Sequence, residues 1–306
     1  EVEIAKGTLG GAMFMTDSHL ITNNVDIAES KAYNGGCLYA EQSSLLECKK
    51  TTLEKCTAHS VGGAMYLTGT TLKTTKPTSF MNNNRAESGA GIYMTSRALS
   101  ELDDIVFEQN RAEGLWGGDG AGIFVQRAEI NMKNTKFISN EAQSAGGAMY
   151  VDTRGVVNSL RTAATATTTT TTSSESDTKE EHVGGHVTWT KNMAPRGGAL
   201  MIGRYAMVKI WKNTFHLNTA IEAGGALASS SNKKTRKRGF PIILTECTFS
   251  NNSVSLPDSD FVGAETYGGA IDLNRASAKL IDTIIQFNQA EVGGGVSIRG
   301  RNCELE

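Results

Sequence analysis

The sequence predicts an all-β protein, a single right-handed parallel β-helix of about ten coils with three short strands per coil. Three observations carry this expectation. A glycine pair, or its Gly-Ala variant, begins at residues 10, 35, 62, 89, 120, 146, 197, 224, 268 and 293, and six of the nine spacings are 25 to 27. A second motif, a large apolar residue followed by Asn three positions on and Ala five positions on, precedes the later pairs. It reads Phe107-x-x-Asn110-x-Ala112 and recurs from Phe137, Trp189 and Phe215. Within each unit, apolar residues alternate at period two, the signature of strands. Three short strands cannot bury a core alone, but units stacked on copies of themselves can, each coil rising about 4.8 Å. The right hand follows from the crossover preference of parallel strands.

The first strand follows the glycine pair, which permits a backbone bend that a Cβ would obstruct. A small residue comes next (Ala12, Cys37, Ala64, Gly91), then an inward aliphatic (Met13, Leu38, Met65, Ile92). Two residues on, another points inward, and between them lies an outward position. Down the coils this position reads Phe14, Tyr39, Tyr66, Tyr93, Phe124 and Tyr150, then Met201, Ala228, Asp272 and Ser297. The second strand is marked by Ile130-x-Met132, Val208-x-Ile210 and Ile242-x-Leu244. The third carries the large residue, expected to form an internal stack. At the following corner Asn110, Asn140, Asn192, Asn218, Asn252 and Asn288 are expected to form a ladder, each side chain bonding its neighbour or the turn backbone. The copy at 80–86 reads as carrying one extra residue, which leaves its asparagine open between Asn83 and Asn84. Cys37 takes the small-residue position and Cys56 the asparagine position, so both read as repeat substitutions.

The formal charge of −2, from 30 basic and 32 acidic residues, gives no reason to expect nucleic acid or an anionic membrane as partner. Five cysteines, an odd number without a CxxC pair, define no disulfide framework and no zinc site. No apolar run is long enough to insert in a membrane. No cofactor motif is present: "GGDGAG" at 117–122 imitates a phosphate loop but opens a strand. Residues 1–9 read as the end of a coil, and the sequence stops just after a first strand. The expectation is therefore one β-helix segment spanning 1–306, open at both ends, of a longer chain.

Four stretches interrupt the period. Residues 152–183 form a Thr/Ser-rich insert of low complexity, expected to be disordered. Residues 229–239, "SSSNKKTRKRG", form a basic loop, and 255–265 an acidic one; a smaller insert lies at 113–119. They rise on both edges of the first-strand sheet, and loops on a rigid scaffold are where function usually sits.

The stretches "GGAMF", "GGAMY", "GGAIDL" and "FISN" resemble the repeats of chlamydial polymorphic outer membrane proteins, and related repeats in large surface proteins of some protists and algae. The two motifs alternate from Gly10 to Gly295. The resemblance implies a secreted β-helical passenger associated with adhesion.

Six aromatic rings one coil apart give either a stabilising ladder or a platform for a sugar or an apolar partner, or both. The expected binding residues are Tyr39, Tyr66, Tyr93, Phe124 and Tyr150. Paired-carboxylate hydrolysis needs acids roughly 5 to 9.5 Å apart. The outward first-strand acids Glu41, Asp152 and Asp272 are three coils or more apart, which is too far. Only Asp258, Asp260, Glu265 and Asp272 could assemble an acidic, calcium-type or catalytic site. The reading is an adhesin-like binding and scaffold protein, secreted or at the cell surface, without catalysis or cofactor. Its expected partner is a glycan or protein on a host or neighbouring cell. The sequon Asn251-Asn252-Ser253 is compatible with secretion. The alternative is a polysaccharide lyase or hydrolase using the loop-borne acids.

Overall fold

A computed structural model describes residues 8–114, 117–159, 185–230, 241–255, 265–300 and 304–306. Every strand pairing among them is parallel, no helix occurs among them, and the chain winds as a three-sheet β-solenoid. The first sheet stacks ten strands in chain order, from Met13–Thr16 to Val296–Arg299. Equivalent positions meet in register whatever the length of chain between them. Tyr66 pairs Tyr93, and Tyr150 pairs Met201 across the longest interval.

The two glycines of the pair do different work. Gly146 has φ +64°, and a Cβ there would lie 2.2 Å from the Met149 carbonyl oxygen. A Cβ on Gly147 would meet the Gly198 oxygen of the next coil at 2.2 Å. The first glycine therefore turns the chain, and the second lets successive coils approach.

The other two sheets divide the coil differently from the sequence expectation. The second and third predicted strands belong to one fifteen-stranded sheet, and in several coils they are continuous, as in Leu99–Glu108 and Glu129–Ile138. One residue in the left-handed region, Asp104 or Asn134, redirects the chain part-way along. The remaining sheet, of eight strands, is built mainly from two-residue strands at the motif alanine, such as Arg111–Ala112 and Glu141–Ala142. Such strands are too short for an alternation signal to show.

Inside, Phe107, Phe137, Trp189, Phe215 and Phe249 stack with centroids 5.0, 4.3, 5.3 and 4.5 Å apart, all fully buried. Beside them runs the asparagine ladder. Asn110 Nδ2 donates to Asn140 Oδ1 (3.0 Å) and to the Met81 carbonyl (2.8 Å), and the pattern repeats through Asn192, Asn218, Asn252 and Asn288. Asn84, not Asn83, is the next rung on the N-terminal side, donating to Asn110 Oδ1 at 2.9 Å. Its coil has no extra residue. Met81 is the buried large residue, giving the regular Met81-x-x-Asn84-x-Ala86, while Phe80 points out and is 39% exposed.

Cys37 and Cys56 form a disulfide, their Cα atoms 5.5 Å apart. The small-residue and asparagine positions of one coil face each other, so two substitutions in the repeat make a staple. Cys48 and Cys247 are buried free thiols; Cys303 lies outside the described residues. The Thr/Ser-rich insert starts later than the sequence suggested. Val156–Ser159 is a regular strand pairing both neighbouring coils, and residues 160–184 lie outside the described set.

Candidate functional site

The outer face of the first sheet places the sequence-predicted rings in one row. Phe14, Tyr39, Tyr66, Tyr93 and Phe124 stack nearly parallel, with centroids 5.5, 4.8, 5.5 and 4.8 Å apart, and Tyr150 closes the row edge-on at 5.3 Å. Each ring covers its neighbours. Tyr39 and Phe124 are consequently buried at 8% and 7% exposure, rather than fully open to solvent as the alternation suggested. Tyr66, Tyr93 and Tyr150 are half-buried. Ring faces are consumed by stacking, so a ligand meets ring edges and phenol hydroxyls. Burial pushes the Tyr39, Tyr93 and Tyr150 phenols up to about 12, with neighbouring tyrosines and carboxylates adding to it. They are neutral near pH 7 and able to donate hydrogen bonds. Tyr39 already donates to Glu41 Oε2 (3.2 Å).

Beyond Tyr150 the same slot holds Met201, Ala228, Asp272 and Ser297, and the wall of rings gives way to a cavity of about 210 Å³. Its walls are charged. Arg196 Nε meets Glu222 Oε2 at 2.6 Å. Arg299 holds Asp272 through two bonds (2.9 and 2.7 Å) and lies 3.6 Å over the Tyr267 ring, whose hydroxyl bonds Glu265.

The loop-acid site is therefore not assembled from the described residues. Asp272, 2% exposed, has both oxygens engaged by Arg299, and Glu265 serves Tyr267. Asp258 and Asp260 lie outside the described residues, as does most of the basic loop (231–240). Among the described residues no group of three or more His, Cys, Asp or Glu is placed to hold a metal.

No family model, curated protein or solved structure matches this chain. The site therefore has to be read from its own geometry.

One acid was missed at the sequence level. Asp119 immediately precedes the glycine pair of the fifth coil, a position occupied elsewhere by Leu9, Asn34, Val61, Ser88 and Ala145. Burial raises its carboxyl above the ordinary range, opposed by hydrogen bonds from Ser144 and the Ala145 backbone and reinforced by the charge of Asp152. Its Oδ1 is buried without a partner among the described residues. Asp152 accepts from Gln126 Nε2 (2.8 Å), and both carboxylates act electrostatically on the Tyr150 phenol. The one acid at a repeat position that otherwise holds uncharged residues and, two coils on, Arg196 was the available signal.

Proposed function

We propose that this chain is a non-catalytic binding and scaffold protein, adhesin-like and displayed outside the cell, that engages a glycan or protein through the outer face of its first sheet. The observation carrying this reading is the continuous row of ring edges and phenols on a rigid frame, bordered by the charged cavity. Preorganised rings offer contact at low entropy cost. The Cys37–Cys56 bridge supports an oxidising compartment, where disulfides persist. The resemblance to chlamydial surface repeats points the same way.

The test is binding of the full chain to a glycan array and to whole cells. Replacing Tyr66 and Tyr93 together by Ser should weaken binding by at least about tenfold, roughly 1.4 kcal/mol. Unchanged binding with a lowered melting temperature would make the row purely structural.

Asp119 and Asp152 favour a second reading, a polysaccharide hydrolase. Two carboxyls in different environments, one largely buried and one hydrogen-bonded to Gln126, beside a row of phenols are one feature that acid and base roles use. Release of reducing sugar from any polysaccharide, abolished in Asp119→Asn and Asp152→Asn, would replace the non-catalytic reading.

A further inference from the structure

The corner that ends the first strand carries a feature the ring row does not use. Arg97, Arg127 and Arg154 occupy it in three consecutive coils. The Arg97 N–H donates to the Arg127 carbonyl (2.7 Å) and the Arg127 N–H to that of Thr153 (3.1 Å), which fixes their stacking. All three sit at positive φ (67°, 51° and 59°), a conformation costing an L-residue roughly 1–2 kcal/mol, whereas the third coil uses Gly69 at its corner. All three are exposed, and together with Ser96 they line a groove of about 730 Å³.

Among the described residues none of the three guanidinium groups has a hydrogen-bond or ion-pair partner. Elsewhere the solenoid sets opposite charges on neighbouring coils, as in Asp103–Lys133 (3.0 Å), Arg111–Glu141 (3.2 Å) and Arg299–Asp272 (2.7 Å). Arg85 and Arg111 also stack, but there the row is broken: Glu141 follows on the next coil and pairs Arg111. The acids nearest in sequence to the arginine corner are engaged: Asp152 accepts from Gln126, and Glu129 from Asn158 (3.4 Å). Like charges on adjacent strands repel. A row of three, spanning about 10 Å along the solenoid axis, gains its counter-charge from outside.

We infer that this corner binds a linear anionic polysaccharide, carboxylated or sulfated, laid along the solenoid axis. Guanidinium forks match the planar geometry of such groups, and the regular rise presents one fork per coil. Tyr205, 61% exposed, follows at the same turn in the next coil and supplies an open ring face. Single-stranded nucleic acid fits less well. It needs successive open ring faces, and those of Tyr93 and Phe124 on the same coils are covered by stacking.

The inference rests on the binding-protein reading but uses different residues, so the two fail separately. The probes are heparin, polygalacturonate, uncharged dextran and an oligothymidylate, titrated against the full chain. All variants are made in a background where Lys233, Lys234, Arg236, Lys237 and Arg238 are changed to Ser, which removes the basic loop as a competing site. The background protein should bind heparin or polygalacturonate in a salt-sensitive way and ignore dextran. Arg97→Ser/Arg127→Ser/Arg154→Ser should weaken that binding at least about tenfold, whereas Arg127→Gln alone, available if the triple variant does not fold, should weaken it about threefold. The control Lys55→Ser/Arg85→Ser/Arg111→Ser, in the basic groove along the eight-stranded sheet, should leave it unchanged, as should the tyrosine pair. Absence of anionic-polysaccharide binding, equal affinity in parent and arginine variants, or an equal loss in the control overturns the inference. Tighter binding of oligothymidylate than of heparin overturns it in favour of nucleic acid. If the tyrosine pair is silent on the array while the arginine variants lose heparin, the ring-edge site fails and the arginine corner stands.

Discussion

Coils one to six and coils seven to ten share a backbone frame yet fill the outward slot of the first sheet in opposite ways. In the N-terminal part the slot holds six rings that satisfy one another. In the C-terminal part it holds Met201, Ala228, Asp272 and Ser297, and the space left is closed at its sides by Arg196–Glu222 and the Asp272–Arg299–Tyr267 group. The inward residues, asparagines and glycine pairs continue through both parts, and the one register shift among the described residues, between Ala194 and Arg196, leaves the asparagine ladder and the first sheet unbroken. The frame is therefore indifferent to what the outward slot carries. That independence lets one part of a solenoid wall become a ring-edge surface and the other a charged recess.

The largest expected effect tests whether the frame is common to both parts. Asn140 takes part in four bonds: it donates to the Phe107 carbonyl and Asn192 Oδ1, and accepts from the Asn110 N–H and Nδ2. Asn218 makes the same four, to Trp189 and Asn252 and from Asn192. At about 1 kcal/mol for each buried bond lost, Asn140→Ala and Asn218→Ala should each destabilise by about 4 kcal/mol in urea titration. A clearly smaller loss for Asn218→Ala would mean that the two parts differ in frame as well as in surface.

The disulfide belongs to the N-terminal part alone. It links residues 19 apart, for which loop closure implies a stabilisation of about 3 kcal/mol. Cys37→Ala/Cys56→Ala should lower stability by that amount. Hydrogen exchange should rise mainly around coils one to three and leave the C-terminal coils as protected as before. A uniform rise along the chain would show that the solenoid melts as one unit.

The fold was legible in the sequence because every coil meets the same neighbours, so each structural demand is written about ten times over. The glycine pair, the large residue and the asparagine stand at fixed offsets, and chance does not repeat them. What occurs once is harder to read. Phe80 outranks Met81 on hydrophobicity alone, and only the neighbouring coils show which one enters the stack. The Cys37–Cys56 contact joins two positions that other coils fill with a small residue and asparagine. Burial of Tyr39 and Phe124 depends on neighbouring rings, which alternation along one strand does not report. Asp119 and the arginine row were visible in principle, since aligning the repeats sets Arg97, Arg127 and Arg154 in one column. Charge counted over the whole chain averages that column away.

The smallest effect concerns Asp119, near the boundary between the two parts, and its sign follows from the environment. Its folded-state carboxyl titrates above the ordinary value because burial disfavours the charge, with Asp152 adding repulsion. Below the unfolded value, about 3.9, the group is protonated in both states and carries no ionisation penalty. As pH rises through the folded value the native state must ionise a buried oxygen that has no partner among the described residues, and stability is lost. Asp119→Asn keeps the shape without the charge. Its melting temperature relative to the parent should therefore rise as pH climbs from about 4 through the raised folded value and level off above it. The change should be small beside the asparagine-ladder variants, because Ser144 and the Ala145 backbone already stabilise the ionised form. A difference that stays constant with pH, or shrinks, would show that solvent reaches the carboxylate, and would remove the physical basis for giving Asp119 an acid role beside Tyr150.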